Sequence, residues 1–183
     1  MDDLALARSL AAGDEAAFRQ LVDQETASVF RTCYRILGRV DEAEDATQET
    51  FVLAYRSLAS FRGDGRPGAW LTRIATRECW RRAAVRSRRA AATTALDEVM
   101  IQTLPGSASP LGEVLAAEER TRVRDAVERL GEPYREVVAL RFFGELSLLD
   151  IAAATGRPEG TIKAQLHRGM ERLRRALGPE SRR

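Results

Sequence analysis

Residues 147–177 have the sequence SLLDIAAATGRPEGTIKAQLHRGMERLRRAL. Ser147 and Asp150 have the spacing of a capping box, which predicts that a helix begins just after Ser147. Gly156 can adopt the left-handed conformation of a tight turn. Pro158 then suits the first turn of a second helix, where a missing amide costs nothing. The segment therefore predicts a helix-turn-helix hairpin, an arrangement that can place side chains in the major groove of DNA.

The second helix of this hairpin is predicted to have an apolar side and a basic side, because successive residues advance by 100°. The apolar side collects Ile162, Leu166, Gly169, Leu173 and Leu177. The opposite side collects Thr161, Lys163, Ala164, His167, Arg168 and Arg172. A solvated basic face is the usual interpretation of an arbitrary basic helix. The capping box, the small residues at the turn and the proline instead favour contact with phosphates and base edges.

Composition places the chain among soluble globular proteins of one or two small domains, with 183 residues of which 44% are hydrophobic. It has no apolar run of the roughly 20 residues that a membrane span needs, and MDDLALARSL does not resemble a secretory signal, so a cytoplasmic location without membrane insertion is expected. Cys33 and Cys79 form no CxxC pair and the only histidine is His167. Neither a metal site nor a cofactor is predicted.

The formal net charge is only +2, but the charges are sorted along the chain. Acidic residues dominate residues 2–49, and arginines dominate residues 73–89 and 157–183. Sorting of this kind indicates separate surfaces with different partners.

Strong helical periodicity and the lack of alternating strand patterns predict an all-α fold of two small helical domains joined by a flexible linker. The predicted domains are residues 1–89 and 113–178, with a Pro- and Ser-containing linker at residues 90–112. The first domain is predicted to contain helices Leu4–Ala12, Glu15–Leu37, Glu42–Ser60 with an Asp41 cap, and Pro67 to about Arg89. The core of the second domain is predicted to include Val123, Val127, Leu130, Val137, Leu140, Phe142, Ile151, Ile162, Leu166 and Leu173.

The third predicted helix has one face that is acidic and lacks neighbouring basic residues. Its members are Asp41, Glu44, Asp45, Gln48 and Glu49. The helix dipole favours acids in the first turn only. Two acids one turn apart repel each other by about 0.2–0.5 kcal/mol, so their presence at Asp45 and Glu49 indicates a docking surface for a basic partner more than a solvated face.

The fourth predicted helix carries a second basic strip and follows a Gly-rich loop. The strip consists of Arg73, Arg77, Trp80, Arg81 and Ala84, and the loop FRGDGR includes Arg62. An exposed Trp80 among arginines would suit unstacked bases. The alternative is that Trp80 packs under the linker or against the first helix.

Three motifs in this order carry a resemblance to a known family. They are DEAEDATQETF at residues 41–51, FRGDGRPGAWLTRIA at residues 61–75 and ERLGEPYREVVALRFFGELSLLDIAAATGRPEGTIKAQLHRGMERLR at residues 128–174. Together they resemble the extracytoplasmic-function (ECF) class of bacterial RNA polymerase sigma factors, which keep only conserved regions two and four. The resemblance spans most of the chain.

The resemblance implies a transcription initiation factor without a catalytic site of its own. Its partners would be core RNA polymerase and promoter DNA. On the polymerase it would contact the clamp helices of the largest subunit and the flap. Many family members also bind an anti-sigma factor. The acidic face would dock on the clamp helices. Arg62 and the strip from Arg73 to Arg81, including Arg77 and Trp80, would hold the promoter element near the start site. Lys163, Ala164, Gln165, His167 and Arg168, with Thr161 and Arg172, would read the farther element in duplex DNA.

The predicted linker is long enough for the two domains to contact both promoter elements at once. Two promoter elements about two helical turns apart lie roughly 70 Å from each other, and about 23 extended residues reach about 75 Å. The chain departs from the family pattern at Arg77, Arg81 and Gln165, which leaves its promoter sequence open because Gln can prefer adenine where Arg prefers guanine.

Two other functions fit parts of the sequence. A one-component helix-turn-helix regulator with a ligand-sensing N-terminal bundle would bind duplex DNA alone, but it would not need the acidic face. A recombinase would need a nucleophile in an α/β domain, and no strands are predicted.

Overall fold

The computed structural model describes residues 3–61, 63, 65–92 and 110–178. This part of the chain contains α-helices and no β-strand, as the sequence predicts. The helices are α1 (Asp3–Ala11), α2 (Glu15–Leu37), α3 (Val40–Arg56), α4 (Pro67–Ala92), α5 (Pro110–Glu128), α6 (Tyr134–Phe142), α7 (Leu148–Thr155) and α8 (Glu159–Leu177). Arg62, in the loop before α4, lies outside the described residues. Residues 93–109, which form most of the predicted linker, also lie outside them. Residues 90–92 and 110–112, also assigned to the linker, belong to α4 and α5 instead.

Side-chain and glycine caps fix the ends of α2 where the sequence predicts them. The Asp14 carboxylate accepts a hydrogen bond from the Ala16 amide at 2.8 Å. Gly38 ends the helix in the left-handed conformation, with φ of 79°. Local capping chemistry is therefore sufficient to predict this element.

The prediction that Asp41 caps α3 is wrong. The helix begins at Val40, two residues before the predicted start at Glu42, and Arg39 occupies the cap position without a side-chain cap bond. The Arg39 guanidinium instead forms an ion pair with the Asp41 carboxylate at 3.0 Å. The helix also ends at Arg56, before the predicted Ser60, and a short 3-10 turn follows at Leu58–Ser60.

Helices α1 to α4 form an N-terminal bundle, and α5 to α8 form a C-terminal bundle. In the N-terminal bundle α2, α3 and α4 pack pairwise around fully buried side chains that include Leu21, Val29, Cys33 and Leu71. In the C-terminal bundle α8 packs against α6 and α7, with Ile162 fully buried. Burial of these apolar faces is the main stabilising contribution to both bundles.

The predicted helix-turn-helix hairpin is confirmed, with one change at its turn. Ser147 and Asp150 form the capping box, and Gly156 is left-handed with φ of 68°. Pro158 lies at the cap of α8, one residue before the first turn.

The prediction that Phe142 belongs to the core of the C-terminal bundle is wrong. Phe142 is 51% exposed, whereas its neighbour Phe143 packs against the core. Both lie at the end of α6, where a one-residue difference rotates a side chain by 100°.

The two bundles lie directly against each other. Helix α4 packs against α6 and α7, and one cluster of buried apolar residues continues from the N-terminal bundle into α5, α6 and α8. The α6–α7 turn sits on α4 so closely that a Cβ on Gly144 would lie 2.5 Å from Cγ2 of Thr72. This contact between the bundles determines the surroundings of several predicted site residues.

Candidate nucleic-acid interface

The basic side of α8 is presented to solvent as predicted. The exposed members are Thr161, Lys163, Ala164, His167, Arg168 and Arg172. Buried Ile162, Gly169 and Leu173 anchor the opposite side of the helix. The bundle therefore orients the whole strip outward, which is the geometry that a recognition helix requires.

Contacts within the C-terminal bundle position part of this strip. Lys163 pairs with Glu159 at 2.7 Å, and His167 lies 3.6 Å from Glu171. The Arg172 guanidinium stacks on the Tyr134 ring of α6 at 4.1 Å. Arg168 has no ion-pair partner among the described residues. It is therefore available to an incoming phosphate or base edge.

Gln165 differs from the rest of the α8 residues because it is half-buried. Its side-chain oxygen accepts a hydrogen bond from Arg157 at 3.2 Å. Arg157 also pairs with Glu136 of α6. Gln165 is thus held by residues that face the other bundle.

The basic strip of α4 faces the C-terminal bundle. Arg73 donates to the Glu136 carboxylate at 3.0 Å and to the carbonyl oxygen of Ala154 at 2.9 Å. Arg77, which is 67% exposed, lies 3.5 Å from the same carboxylate. The strip exists as predicted, but Arg73 and Arg77 form ion pairs with a residue of the other bundle.

The prediction that Trp80 is exposed is wrong. Trp80 is 6% exposed because it packs at the contact between the bundles, 6.3 Å from the Phe143 ring and 5.8 Å from the Arg135 guanidinium. Its Nε1 has no hydrogen-bond partner in the part of the chain that the structure describes. Of the two alternatives considered from the sequence, packing against α1 does not account for these ring contacts, and packing under the linker concerns residues that lie mostly outside the described ranges.

Arg81 is exposed and is oriented by a buried carboxylate on its own helix. Both Glu78 oxygens accept hydrogen bonds from Arg81 at 2.7 Å, and one also accepts from Arg82 at 2.6 Å. Burial by itself raises the pKa of Glu78, but the hydrogen bonds from Arg81 and Arg82 outweigh burial and hold that pKa below its ordinary value. Glu78 therefore remains ionised and fixes the guanidinium of Arg81.

Glu136 is the centre of the contact between the bundles. Its side chain is 6% exposed and faces three arginines, Arg73, Arg77 and Arg157. Burial raises the pKa of Glu136, but the hydrogen bonds and charges of Arg73 and Arg157 outweigh burial and lower it below its usual range. The carboxylate is consequently charged at neutral pH.

The acidic face of α3 points to solvent as predicted. Asp41, Glu44, Asp45 and Gln48 are exposed and Glu49 is half-buried. Asp41 is paired with Arg39, so this end of the face is compensated. Within the described ranges, Glu44, Asp45 and Glu49 form no ion pair. Val52 and Tyr55, 42% and 51% exposed, continue along the same helix.

Two buried acids, Glu78 and Glu136, were missed by the sequence interpretation. Glu78 had a local signal, because it is the only acid between residues 67 and 92 and has arginines three and four positions later. Glu136 had no such signal, since Arg73 is 63 residues away.

The other chemistry-bearing side chains of the described residues assemble no metal site. Cys33 of α2 and Cys79 of α4 are both fully buried, and neither forms a disulfide. The described residues contain no group of His, Cys, Asp and Glu side chains that could hold a metal ion. Across the same ranges, no helix is both long and apolar enough to cross a membrane.

Comparisons with known proteins agree with this pair of helical bundles. Residues 21–90 match Sigma-70 region 2, and residues 120–173 match Sigma-70, region 4. The chain is 34% identical over 173 residues to the ECF RNA polymerase sigma factor SigW of Bacillus subtilis (strain 168), covering 90% of this chain and 91% of that relative.

Solved structures share the fold over nearly the whole chain. CnrH in complex with the cytosolic domain of CnrY superposes with a TM-score of 0.58 at 26% identity, covering 96% of each chain. The sigma factor RpoE in complex with the anti-sigma factor NepR from Bartonella quintana superposes with a TM-score of 0.56 at 24% identity, covering 91% of this chain and 98% of that one.

The fold and the region matches define a bacterial transcription initiation factor of the sigma-70 type. Within that class, the chain belongs to the ECF sigma factors. It therefore binds core RNA polymerase and promoter DNA and directs transcription initiation.

Proposed function

We propose that this sigma factor docks on polymerase through Glu44, Asp45, Gln48 and Glu49 of α3, and that its two basic strips hold separate promoter elements. The observation that carries the docking assignment is a face of α3 on which the exposed Glu44 and Asp45 and the half-buried Glu49 form no ion pair with any described residue. Other acids pair with arginine, as Glu42 of the same helix does with Arg86 at 2.7 Å. Acids left without cations favour a basic partner by electrostatic complementarity.

For promoter recognition, we assign the farther element to α8 and the start-site element to α4 and the preceding loop. Support for α8 comes from its outward strip and from Arg168, which stays available for base edges or phosphates. Support for α4 comes from Arg77 and Arg81, whose side chains are 67% and 62% exposed. Captured bases and phosphate contacts would offset the cost of unstacking DNA.

An apolar groove in the C-terminal bundle supports a second polymerase contact. It has a volume of about 790 Å³ and lies between α5, α6 and α8. Its lining includes Val127, Phe142, Met170 and Leu173. The partly exposed Phe142 lies on this groove, which suits an apolar segment of the polymerase flap.

In this proposal the chain has no catalytic site, and phosphodiester chemistry belongs to the polymerase. Since bacterial RNA polymerase acts in the cytoplasm, the sigma factor would work there too.

The docking assignment is tested by replacing Asp45 and Glu49 with arginine. Reversed charge should repel the basic partner surface, so the double variant should no longer co-purify with core polymerase or support run-off transcription. The matched control replaces Glu118 and Asp125, two exposed acids of α5, with arginine. Circular dichroism should show native helix content in both proteins. Undiminished polymerase binding by the α3 variant would remove the docking assignment.

A further inference from the structure

Gln165 lies at the edge of the exposed strip of α8 that is proposed to read base edges. Thr161 lies about one turn before it and Arg168 about one turn after it, and both are exposed. Gln165 itself is half-buried, because the buried Ile162 and Gly169 lie on the adjoining side of the helix. A side chain at this edge can contact both the bundle and an incoming base.

The amide oxygen of Gln165 is already engaged within the C-terminal bundle. Nη1 of Arg157 donates a hydrogen bond to Oε1 of Gln165 at 3.2 Å. A guanidinium group has only donors, so the amide atom that faces it must be the oxygen, and the amide nitrogen must be on the other branch. The contact with Arg157 therefore determines which way round the amide group of Gln165 lies.

Arg157 is itself held through both its backbone and its side chain. It follows the left-handed Gly156 in the turn between α7 and α8, and its backbone amide donates to the carbonyl oxygen of Ala152 at 3.2 Å. Its guanidinium pairs with the buried carboxylate of Glu136, and its side chain is only 26% exposed. Glu136, Arg157 and Gln165 all belong to the C-terminal bundle, so these contacts need no residue of the other bundle.

The amide nitrogen of Gln165 remains open to solvent. It forms no hydrogen bond with any described residue. The buried side-chain polar atoms that lack a partner in the described ranges are Thr76 Oγ1 and Trp80 Nε1, so the nitrogen of Gln165 is not buried. Gln165 therefore offers DNA a hydrogen-bond donor, while Arg157 occupies its acceptor.

This orientation affects base choice, because the base edges in the major groove differ in their donors and acceptors. A glutamine binds adenine with both amide atoms, since its nitrogen donates to N7 and its oxygen accepts from the N6 amino group. With its oxygen turned towards Arg157, Gln165 cannot make the second of these bonds. Guanine presents two adjacent acceptors, N7 and O6, whereas cytosine presents only a donor. A side chain that offers only a donor is therefore matched to guanine.

We infer that Arg157 is a specificity-determining residue for promoter recognition: by holding the oxygen of Gln165, it makes α8 favour guanine over adenine at one position of the farther element. Arg157 acts through Gln165, as a positioning residue that does not itself contact the base. The inference rests on the proposed reading of the farther element by α8.

The test sequences the DNA that the holoenzyme, assembled from core polymerase and the full-length chain, selects from duplex promoters randomised over the farther element. Gln165→Ala identifies the position that Gln165 reads, since base preference should be lost there alone. At that position the wild-type protein should favour guanine over adenine at least about fivefold. Arg157→Ala frees the amide group, so the ratio of guanine to adenine should fall at least about fivefold.

Two controls separate positioning from a general effect on the fold. In a Gln165→Ala background, Arg157→Ala should leave the base preference unchanged at every position, because no amide remains to be oriented. Arg122→Ala removes an arginine of α5 that pairs with Glu119, and it should keep the wild-type preference. Circular dichroism should show native helix content in all of these variants.

A wild-type preference for adenine at the position that Gln165 reads would overturn the inference, and this result does not depend on whether Arg157→Ala folds. An unchanged ratio of guanine to adenine in folded Arg157→Ala would also overturn it, as would wild-type preferences at all positions in Gln165→Ala. In each case, base preferences elsewhere in the farther element would leave the proposed role of α8 intact. Selection without any preference across the farther element would refute that role, and the inference with it.

Discussion

At the scale of single residues, the arginine-rich surface of α4 depends on a carboxylate that solvent hardly reaches. Glu78 is 3% exposed and neutralises part of the charge of Arg81 and Arg82, which would otherwise repel each other on adjacent positions. Arg82 also reaches the carbonyl oxygen of Asp45 on α3 at 3.4 Å. Glu78 thus orients an arginine proposed to bind DNA and helps to join α4 to the acidic helix.

The lowered pKa of Glu78 predicts a specific pH dependence of stability. A carboxyl group whose folded pKa lies below its unfolded value, about 4.3, stabilises the fold above that value and loses this contribution as the pH falls through the folded pKa. Glu78→Gln should therefore be less stable by about 1–3 kcal/mol at pH 7. Its melting temperature should also fall less steeply than that of the wild type as the pH is lowered from about 5 to about 3.

Thermal unfolding followed by circular dichroism across this pH range measures both effects. Glu118→Gln, at an exposed position of α5, is the control and should follow the wild-type curve. Parallel pH profiles for Glu78→Gln and the wild type would contradict the stabilising role assigned to the ionised carboxylate.

At the scale of elements, the approach of α8 to α6 depends on a residue without a side chain. A Cβ on Gly169 would lie 2.8 Å from Cγ2 of Val138, which is 1% exposed and has little room to move. This crossing holds the basic strip of α8 away from the core. It also brings Arg172 onto the Tyr134 ring.

Gly169→Ala should therefore destabilise the protein even though alanine favours helices. Helix propensity alone would give a gain of up to about 1 kcal/mol, whereas overpacking costs about 1–3 kcal/mol. Urea unfolding should show a net loss of roughly 1 kcal/mol. Gly160→Ala on the same helix, where nothing lies within 4 Å, should be neutral or stabilising.

A double-mutant cycle identifies the clash with Val138. In a Val138→Ala background the missing methyl groups make room, so Gly169→Ala should no longer destabilise. An equal loss in both backgrounds would place the cause elsewhere in the helix.

At the scale of the whole molecule, local chemistry predicted the elements but not how the bundles meet. The capping box at Ser147 and the left-handed Gly38 are set by residues within a few positions, so the sequence revealed them. The burial of Trp80 and the occupation of Arg73 depend on α6 residues more than 50 positions away. Helical periodicity carries no information about such contacts. The arginine strip was therefore predicted, whereas its internal partner was not.

Separate binding of the two bundles to promoter DNA makes a prediction about Arg168. Arg168→Ala should lower run-off transcription about 5- to 150-fold on promoters with both elements, corresponding to about 1–3 kcal/mol for one base contact. Transcription from promoters that lack the farther element should fall little, because initiation there depends only on the α4 strip and on polymerase contacts. Arg19→Ala, a 77% exposed arginine of α2, is the matched control.

The salt dependence of initiation distinguishes the two kinds of contact that Arg168 could make. A lost phosphate contact reduces the slope of log affinity against log salt by about one and acts equally on all sequences. A lost base contact leaves the slope nearly unchanged and relaxes preference at one position of the farther element. Equal loss on promoters with and without that element would show that α8 does not read it. The proposal that the two bundles hold separate promoter elements would then be wrong, because the C-terminal bundle would have no promoter sequence to hold.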